Sequence, residues 1–371
     1  MSFKPAEPAP RGGFFFSAAI PVGAVVVLVL VVWLLFSSAL PGIIQFDDLG
    51  NLSKLDTITG MESAWRWIND GHAGPLGRPI ALATFALQYY QWPDPHALLL
   101  WNIALHIINA LLVFWLSMLV AQRLGAGSQR QLAIGFLVGL CWAMLPLLNT
   151  SVLFIIQRMT VLSGTFVLAG LIAYLKVRGP ADAPWHRQLL ALALLAGFGA
   201  LAALTKETGV LIVAYGLIVE LCVCVGSSKR RLGFAAVALM LGCAALLARL
   251  LPILSWSAST EMQRGFTMPE RLASQGGILL SYLKGLFLPR LSELNPYRGF
   301  VVSHDLTHTI LGVGLWMALM VSPVIVWWRG WRLPALALAW FFYGHLTESG
   351  WIPLELYFAH RNYLPALGLV F

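Results

Sequence analysis

A chain of 371 residues that is 59% hydrophobic and only 11% charged carries less than half the charge of a soluble domain, where about 25% is usual. So much apolar surface cannot be hidden in a water-soluble core of this size, which excludes a soluble globular enzyme. The formal charge of +8 is gathered in loops without the basic–aromatic interleaving that grips nucleic acid, so nucleic acid is excluded as a partner.

Long apolar runs define the elements in chain order. The first, Phe14–Leu40, follows Lys4 and Arg11, and Ser37-Ser38-Ala39 loosely resembles a cleavage site. Its length exceeds the roughly 7–15 residues of a cleavable segment, so an uncleaved signal-anchor helix is expected. A first outer loop, 41–95, contains Arg78–Trp92, apolar but too short to span. That segment reads as a helix lying in the membrane interface with Tyr89, Tyr90 and Trp92 at headgroup level. Spans are then predicted at Ala97–Val120, Leu132–Leu147, Met159–Leu175, Leu189–Leu204, Gly209–Val225 and Leu232–Leu254. A second outer loop, 255–307, holds the amphipathic Pro269–Leu288, punctuated by Ser274, Gln275, Ser281 and Lys284. Thr309–Trp328 and Leu333–Leu346 follow, and short outer turns fall at Pro146–Arg158, Thr205–Thr208 and Thr347–Leu364. The fold class is therefore all-α: one polytopic transmembrane helical bundle, 1–371, of about 9–11 spans. An apolar run is still open at Phe371, as expected of a sequence cut short at its C-terminus.

Basic residues orient the bundle. With the N-terminus inside, the inner loops carry Lys4, Arg11, Arg123, Arg130, Lys176, Arg178, Arg187, Lys229, Arg230, Arg231, Arg329 and Arg332 against only Glu7, Asp182 and Glu220. Short basic inner loops are what the positive-inside rule requires. Outer boundaries carry acid, base and histidine together, which predicts a cavity opening outward at the membrane surface. Cys141, Cys222, Cys224 and Cys243 all lie in apolar runs and read as packing residues.

The candidate chemistry lies on that outer side. Asp47 and Asp48 are adjacent carboxylates just past the first run, where mutual repulsion and partial burial suit a general base or a cation ligand. A solvated, capping loop start is the plainer alternative. Gln157 and Arg158 open a helix, Lys206 and Glu207 sit on a tight turn, and His360 and Arg361 precede the last apolar stretch, with Glu348 and Glu355 upstream. Boundary charges are costly unless they pair or face a polar cavity, and either pairing or snorkelling would explain any one of them. Asn102, His106 and Asn109 share one helix face and are expected to make hydrogen bonds between helices. His304 and Asp305 could pair. His345 is ambiguous, and His72, His96 and His308 are weak signals. No histidine–carboxylate spacing supports zinc; a divalent cation is compatible with the carboxylates but not implied, and no other cofactor is.

Five stretches, in order, resemble the membrane part of GT-C glycosyltransferases that use lipid-phosphate sugars. They are FDDLGN (Phe46–Asn51), GRPIALATFAL with the following NIALHIINALLVF (Gly77–Phe114), PLLNTSVLFIIQRM (Pro146–Met159), LTKETG (Leu204–Gly209) and ESGWIPLELYFAHRNYLP (Glu348–Pro365). Their order and spacing are similar to the TMTC-type protein O-mannosyltransferases and to bacterial pilin glycosyltransferases. The resemblance implies a catalytic Asp at 47 or 48 and a polyprenyl-phosphate-linked sugar as donor. It also implies an acceptor protein or glycan in the periplasm and a place in the bacterial inner membrane. Arg158, Lys206, His360 and Arg361 would hold the donor phosphate, with Arg78, Gln157, Glu207 and Glu348 in support. The tetratricopeptide repeats that follow the membrane part of TMTC proteins have no counterpart here, so the acceptor is left open. Two other classes remain: an O-antigen ligase or polymerase, in which outer arginines and histidines matter more than the aspartates, and a transporter. Transport would need polar residues through the depth of the bundle, and few are present.

Overall fold

The structure, a computed structural model, describes residues 22–45, 47–70, 74, 77–180, 183–224, 265–295, 299, 302, 304–350 and 354–371. Among these residues every regular element is helical. The order is α1 (Val22–Ser37), α2 (Asp47–Leu52), α3 (Met61–Asn69), α4 (Pro79–Ala86), α5 (Pro95–Arg123), α6 (Ser128–Ala143) and α7 (Asn149–Leu153). It continues with α8 (Arg158–Val177), α9 (Trp185–Thr205), α10 (Ile212–Cys222), α11 (Met268–Phe287), α12 (Leu306–Trp328) and α13 (Arg332–Gly344). The predicted span Leu232–Leu254, the beginning of Phe14–Leu40, and His72, Cys243 and Phe46 lie outside the described residues.

Among the described residues four segments are long and apolar enough to cross a membrane: α5, α8 with the turn before it, α9 and α12. A fifth forms if α6 is joined, across a 54° bend, to the segment Pro146–Leu153. Pro146 explains the bend: it cannot donate to the helical ladder and disfavours helical backbone at Leu145, which is extended. The chain is a helical membrane protein. Helices α1, α10 and α13, with 16, 11 and 13 residues described, are shorter than the roughly 20 needed to span alone.

Helices α5 and α8 form the centre, while α12 packs one face on α11 and α13, has almost no fully buried residue and presents large apolar side chains over the rest of its surface. In water such exposure would be untenable; facing lipid it is ordinary. Cys222 and Cys224 are buried as expected, but Cys141 is exposed on α6. Two small residues let α5 and α6 pack closely. Gly135 and Gly139, one turn apart on α6, lie against the α5 backbone, where a Cβ would come within 2.8 Å of the Phe114 carbonyl oxygen and 3.2 Å of that of Ala110. This is the small-xxx-small contact that lets membrane helices approach without a bulky interface.

Asn102, His106 and Asn109 do join helices. Asn102 Nδ2 donates to the carbonyls of Val152 and Phe154, and Asn109 Nδ2 to that of Val161 and to the Tyr363 hydroxyl. His106 lies 2.9 Å from the Tyr363 hydroxyl and 3.1 Å from the Ala143 carbonyl. The first outer loop departs from expectation. The helix predicted at Arg78–Trp92 runs only from Pro79 to Ala86, with a separate turn at Tyr89–Gln91. It buries Ala81, Leu82, Phe85 and Ala86 against α8 and α9 rather than lying on a surface. The predicted His304–Asp305 pair also fails. His304 meets Glu270 at 2.8 Å, and Asp305 caps α12 and meets His308 at 2.9 Å.

Candidate active site

One end of the bundle gathers side chains from five separate segments. The mouth is formed by α2, the residues before α4 and the turn after α9. Asp47 and Asp48 open α2 but face different surroundings. Asp48 is fully buried; its Oδ1 accepts from the Ile156 N–H at 2.7 Å and its Oδ2 from the Gln45 N–H at 3.0 Å. It fastens the start of the loop to the turn Ile155–Gln157 that launches α8. Asp47 is exposed, and no described residue hydrogen-bonds its carboxylate. Partial burial and the nearby Glu355 carboxylate push its pKa up against the opposing pull of Arg78. Of the two, Asp47 is placed to exchange a proton with an incoming group.

Arg78 occupies a left-handed conformation, φ 49°, directly after Gly77 at φ 72°. A non-glycine residue there costs of order 1–3 kcal/mol and persists only where its surroundings demand it. Here the demand is an ion pair: its Nε and Nη2 both donate to Glu207, the closest at 2.8 Å, while Nη1 reaches Met159 Sδ at 3.3 Å. Glu207 begins the turn Glu207–Leu211, which folds back on α9. Gly209 makes that possible, since a Cβ there would collide with the Ala202 backbone at 2.2 Å.

Beneath the mouth lies a small polar cavity walled by Thr160, Lys206, Tyr215, Glu348, His360 and Arg361. Lys206 Nζ is 3.0 Å from Glu348 Oε1 and donates to Thr160 Oγ1 at 2.9 Å; the Thr160 hydroxyl in turn donates to Gln157 Oε1 at 2.7 Å. Burial would raise the Glu348 pKa, but Lys206 and then Arg361 outweigh it and hold the carboxyl down at about 2. Burial drives the Lys206 ammonium the other way, downward, opposed mainly by Glu348. His360, stacked on Phe358 with ring centroids 4.9 Å apart, is held well below its usual pKa by burial and then by Lys206. Near neutral pH it is a neutral imidazole that can donate one hydrogen bond but adds no charge. Arg361 donates from both terminal nitrogens to the carbonyls of Leu356 and Glu355, which curl the chain around it.

Arg158 is not in this cavity. Its guanidinium is fully buried between α4 and α5, donating to Asn102 Oδ1 at 3.1 Å, the Thr84 carbonyl at 3.2 Å and the Leu98 carbonyl at 2.8 Å. It also lies 4.1 Å over the Phe85 ring. The expectation that it joins Lys206 and Arg361 around a phosphate is corrected: its donors are spent on neutral oxygens inside the bundle. Gln157 accepts the Thr160 hydroxyl and so orients it toward Lys206.

One residue passed over in the sequence shapes the cavity from outside. Arg271, fully buried on α11, donates through Nη2 to the Glu348 carbonyl, through Nε to that of Gly350 and through Nη1 to that of Leu354. Gln275 holds the Leu356 carbonyl, and the Tyr282 hydroxyl both donates to the Phe358 carbonyl and accepts its N–H. Arg271, Gln275 and Tyr282 recur at helical spacing, and that stripe was the available signal. Among the described residues no three His, Cys, Asp or Glu side chains are grouped to hold a metal ion.

An apolar crevice of about 380 Å3 runs between α10, α12 and α13, lined by Ile218, Cys222, Trp327, Trp328, Ala339 and Tyr343 among others. Helix α10 and the α13 segment line both spaces: Tyr215 and Gly344 border the polar cavity, while Ala214, Tyr343 and Leu346 border the apolar one. Comparison with known families, with characterised proteins and with solved structures finds no match.

Proposed function

We propose that the chain is a glycosyltransferase that moves a sugar from a polyprenyl-phosphate donor to an acceptor hydroxyl. The observation that carries the reading is that the same two helices line both a polar cavity holding Lys206, His360 and Arg361 and an apolar crevice. An anionic head joined to a long apolar chain has its chemical counterparts in that pair of spaces, although the polar cavity, about 20 Å3, admits a phosphate only when a lining side chain moves aside. The crevice is within the usual range of ligand pockets, about 300–1,000 Å3, so it would take part of a polyprenyl chain and leave the rest in the bilayer.

In the proposed reaction the acceptor oxygen attacks the sugar's anomeric carbon as the bond to the phosphate oxygen breaks. Asp47 takes the hydroxyl proton, and the polyprenyl phosphate leaves with its charge met by Lys206 and one His360 N–H, while Arg361, whose terminal nitrogens hold backbone carbonyls, has Nε left to offer. The acceptor is a Ser or Thr hydroxyl of an exported protein such as a pilin. In this reading the N-terminus lies in the cytoplasm, as the short basic loops favour, and the site lies on the periplasmic side of a bacterial inner membrane crossed about 9–11 times.

The deciding experiment supplies a labelled polyprenyl-phosphate sugar to the full chain in nanodiscs and compares Asp47→Asn with the unaltered protein. Loss of transfer with donor binding retained is expected; normal transfer by the variant would refute the base. Transfer of a preassembled lipid-linked glycan instead would favour the O-antigen ligase reading. Transport is disfavoured because Asn102, His106 and Asn109 are engaged in helix-to-helix hydrogen bonds. Reporters fused after Arg123 and Arg178 are expected to read inside, and an outside reading at either would reverse the site.

A further inference from the structure

The carboxylate of Glu348 stands where the phosphate of a ligand would stand. It lies 3.0 Å from Lys206 Nζ, and Arg361 and His360 line the same cavity. The neighbouring acid cannot take this place, because Glu207 is already engaged through both oxygens by Arg78. Mere neutralisation of Lys206 would not require a carboxylate that opens onto a cavity, since a buried pair is a poor source of stability compared with apolar packing.

The two parts of Glu348 are held very differently. Its backbone is pinned, with the carbonyl accepting from Arg271 Nη2 at 2.7 Å. Its side chain is held by Lys206 alone among the hydrogen bonds and ion pairs of the described residues. The carboxylate can therefore swing about its side-chain torsions and leave Lys206 while the loop stays in place. Lys206 keeps a second partner, the Thr160 hydroxyl at 2.9 Å, and so stays aimed at the same point when Glu348 departs.

Resting on the glycosyltransferase reading, we propose that Glu348 is a resident counter-anion. It occupies Lys206 in the empty site, yields to the donor phosphate, and returns to expel the polyprenyl phosphate left after transfer. No bond is made or broken in the exchange; one anion replaces another on the same ammonium. Substitution by an uncharged residue of the same shape removes the competitor. It should tighten ground-state and product binding together, so that release becomes slow.

The test is binding of a polyprenyl phosphate, with inorganic phosphate as competitor, to the full chain in nanodiscs, together with steady-state transfer. Glu348→Gln is expected to bind the lipid about tenfold more tightly, the scale of one close charge contact. KM and kcat should both fall, and more inorganic phosphate should be needed to displace the lipid. Equal or weaker binding by this variant, with the unaltered protein binding normally, overturns the counter-anion and leaves the glycosyltransferase reading intact. Failure of the unaltered protein to bind the lipid at all removes that reading, and this inference with it. If Glu348→Gln does not fold, Glu348→Asp serves, since its carboxylate is one methylene short of Lys206. Tighter binding than the unaltered protein is again expected, and binding no tighter overturns the proposal.

Discussion

Arg158→Gln separates a guanidinium that anchors helices from one that binds a ligand. In the structure Arg158 makes three hydrogen bonds to neutral oxygens of α4 and α5 and lies 4.1 Å over the Phe85 ring. The shorter Gln amide can replace one of those bonds. Two lost bonds from a charged donor cost about 1–3 kcal/mol each, taken toward the low end because membrane hydrogen bonds average less. Loss of the cation over Phe85 adds about 1 kcal/mol. The expected destabilisation is about 3–5 kcal/mol, much of it from leaving the Asn102 oxygen buried and unmet. Unfolding in mixed detergent micelles, followed by helix content, measures it, and donor binding is assayed on the folded fraction. Folded variant should bind polyprenyl phosphate normally. A variant within about 1 kcal/mol of the unaltered protein whose folded fraction no longer binds the lipid would refute this placement.

Two further predictions follow from the mouth of the site. Asp48→Asn should lose about 1–3 kcal/mol of stability, because an amide cannot accept from both the Ile156 and Gln45 N–H groups; an unfolding midpoint equal to that of the unaltered protein would sink the tethering role. The Asp47 carboxyl is raised by burial and then by Glu355, so transfer should rise with pH through a value above the ordinary carboxylate range. Removing the acid in Glu355→Gln should move that limb to lower pH, and an unmoved limb would mean that the titrating base is not Asp47.

Much of the bundle can be read directly from apolar runs, because a span has to be long and apolar whatever it packs against. The hydrogen-bonding face of Asn102, His106 and Asn109 is equally legible, since helical spacing alone puts the three together. What spacing cannot reveal is which way a boundary cation turns. Arg158 and Lys206 both stand at the end of an apolar run, and only the tertiary placement of Thr84, Leu98 and Asn102 around one, and of Glu348 beside the other, divides their roles. Asp47 and Asp48 present the same difficulty one residue apart: helical geometry sends adjacent side chains in different directions. The stripe on α11 escaped because Arg271 reads as a surface charge on an amphipathic helix. Its partners are backbone carbonyls some eighty positions away, and carbonyls leave no mark in a sequence.

The division among the cations follows from what a desolvated positive charge can accept as a partner. A planar guanidinium can satisfy its donors on several neutral oxygens at once, as Arg158 and Arg271 do with carbonyls and an amide. Each thereby joins pieces of backbone and becomes unavailable to a ligand. A buried ammonium is a compact, strongly hydrated charge for which neutral oxygens compensate poorly, so Lys206 needs a full anion. That requirement selects Lys206 as the cation whose partner can be exchanged. Any anion of suitable size that reaches the cavity competes with Glu348 on equal terms, whereas no ligand could replace the three separate carbonyls around Arg271. The exchangeable charge therefore lies at the single lysine of the cavity, framed by arginines that hold its walls.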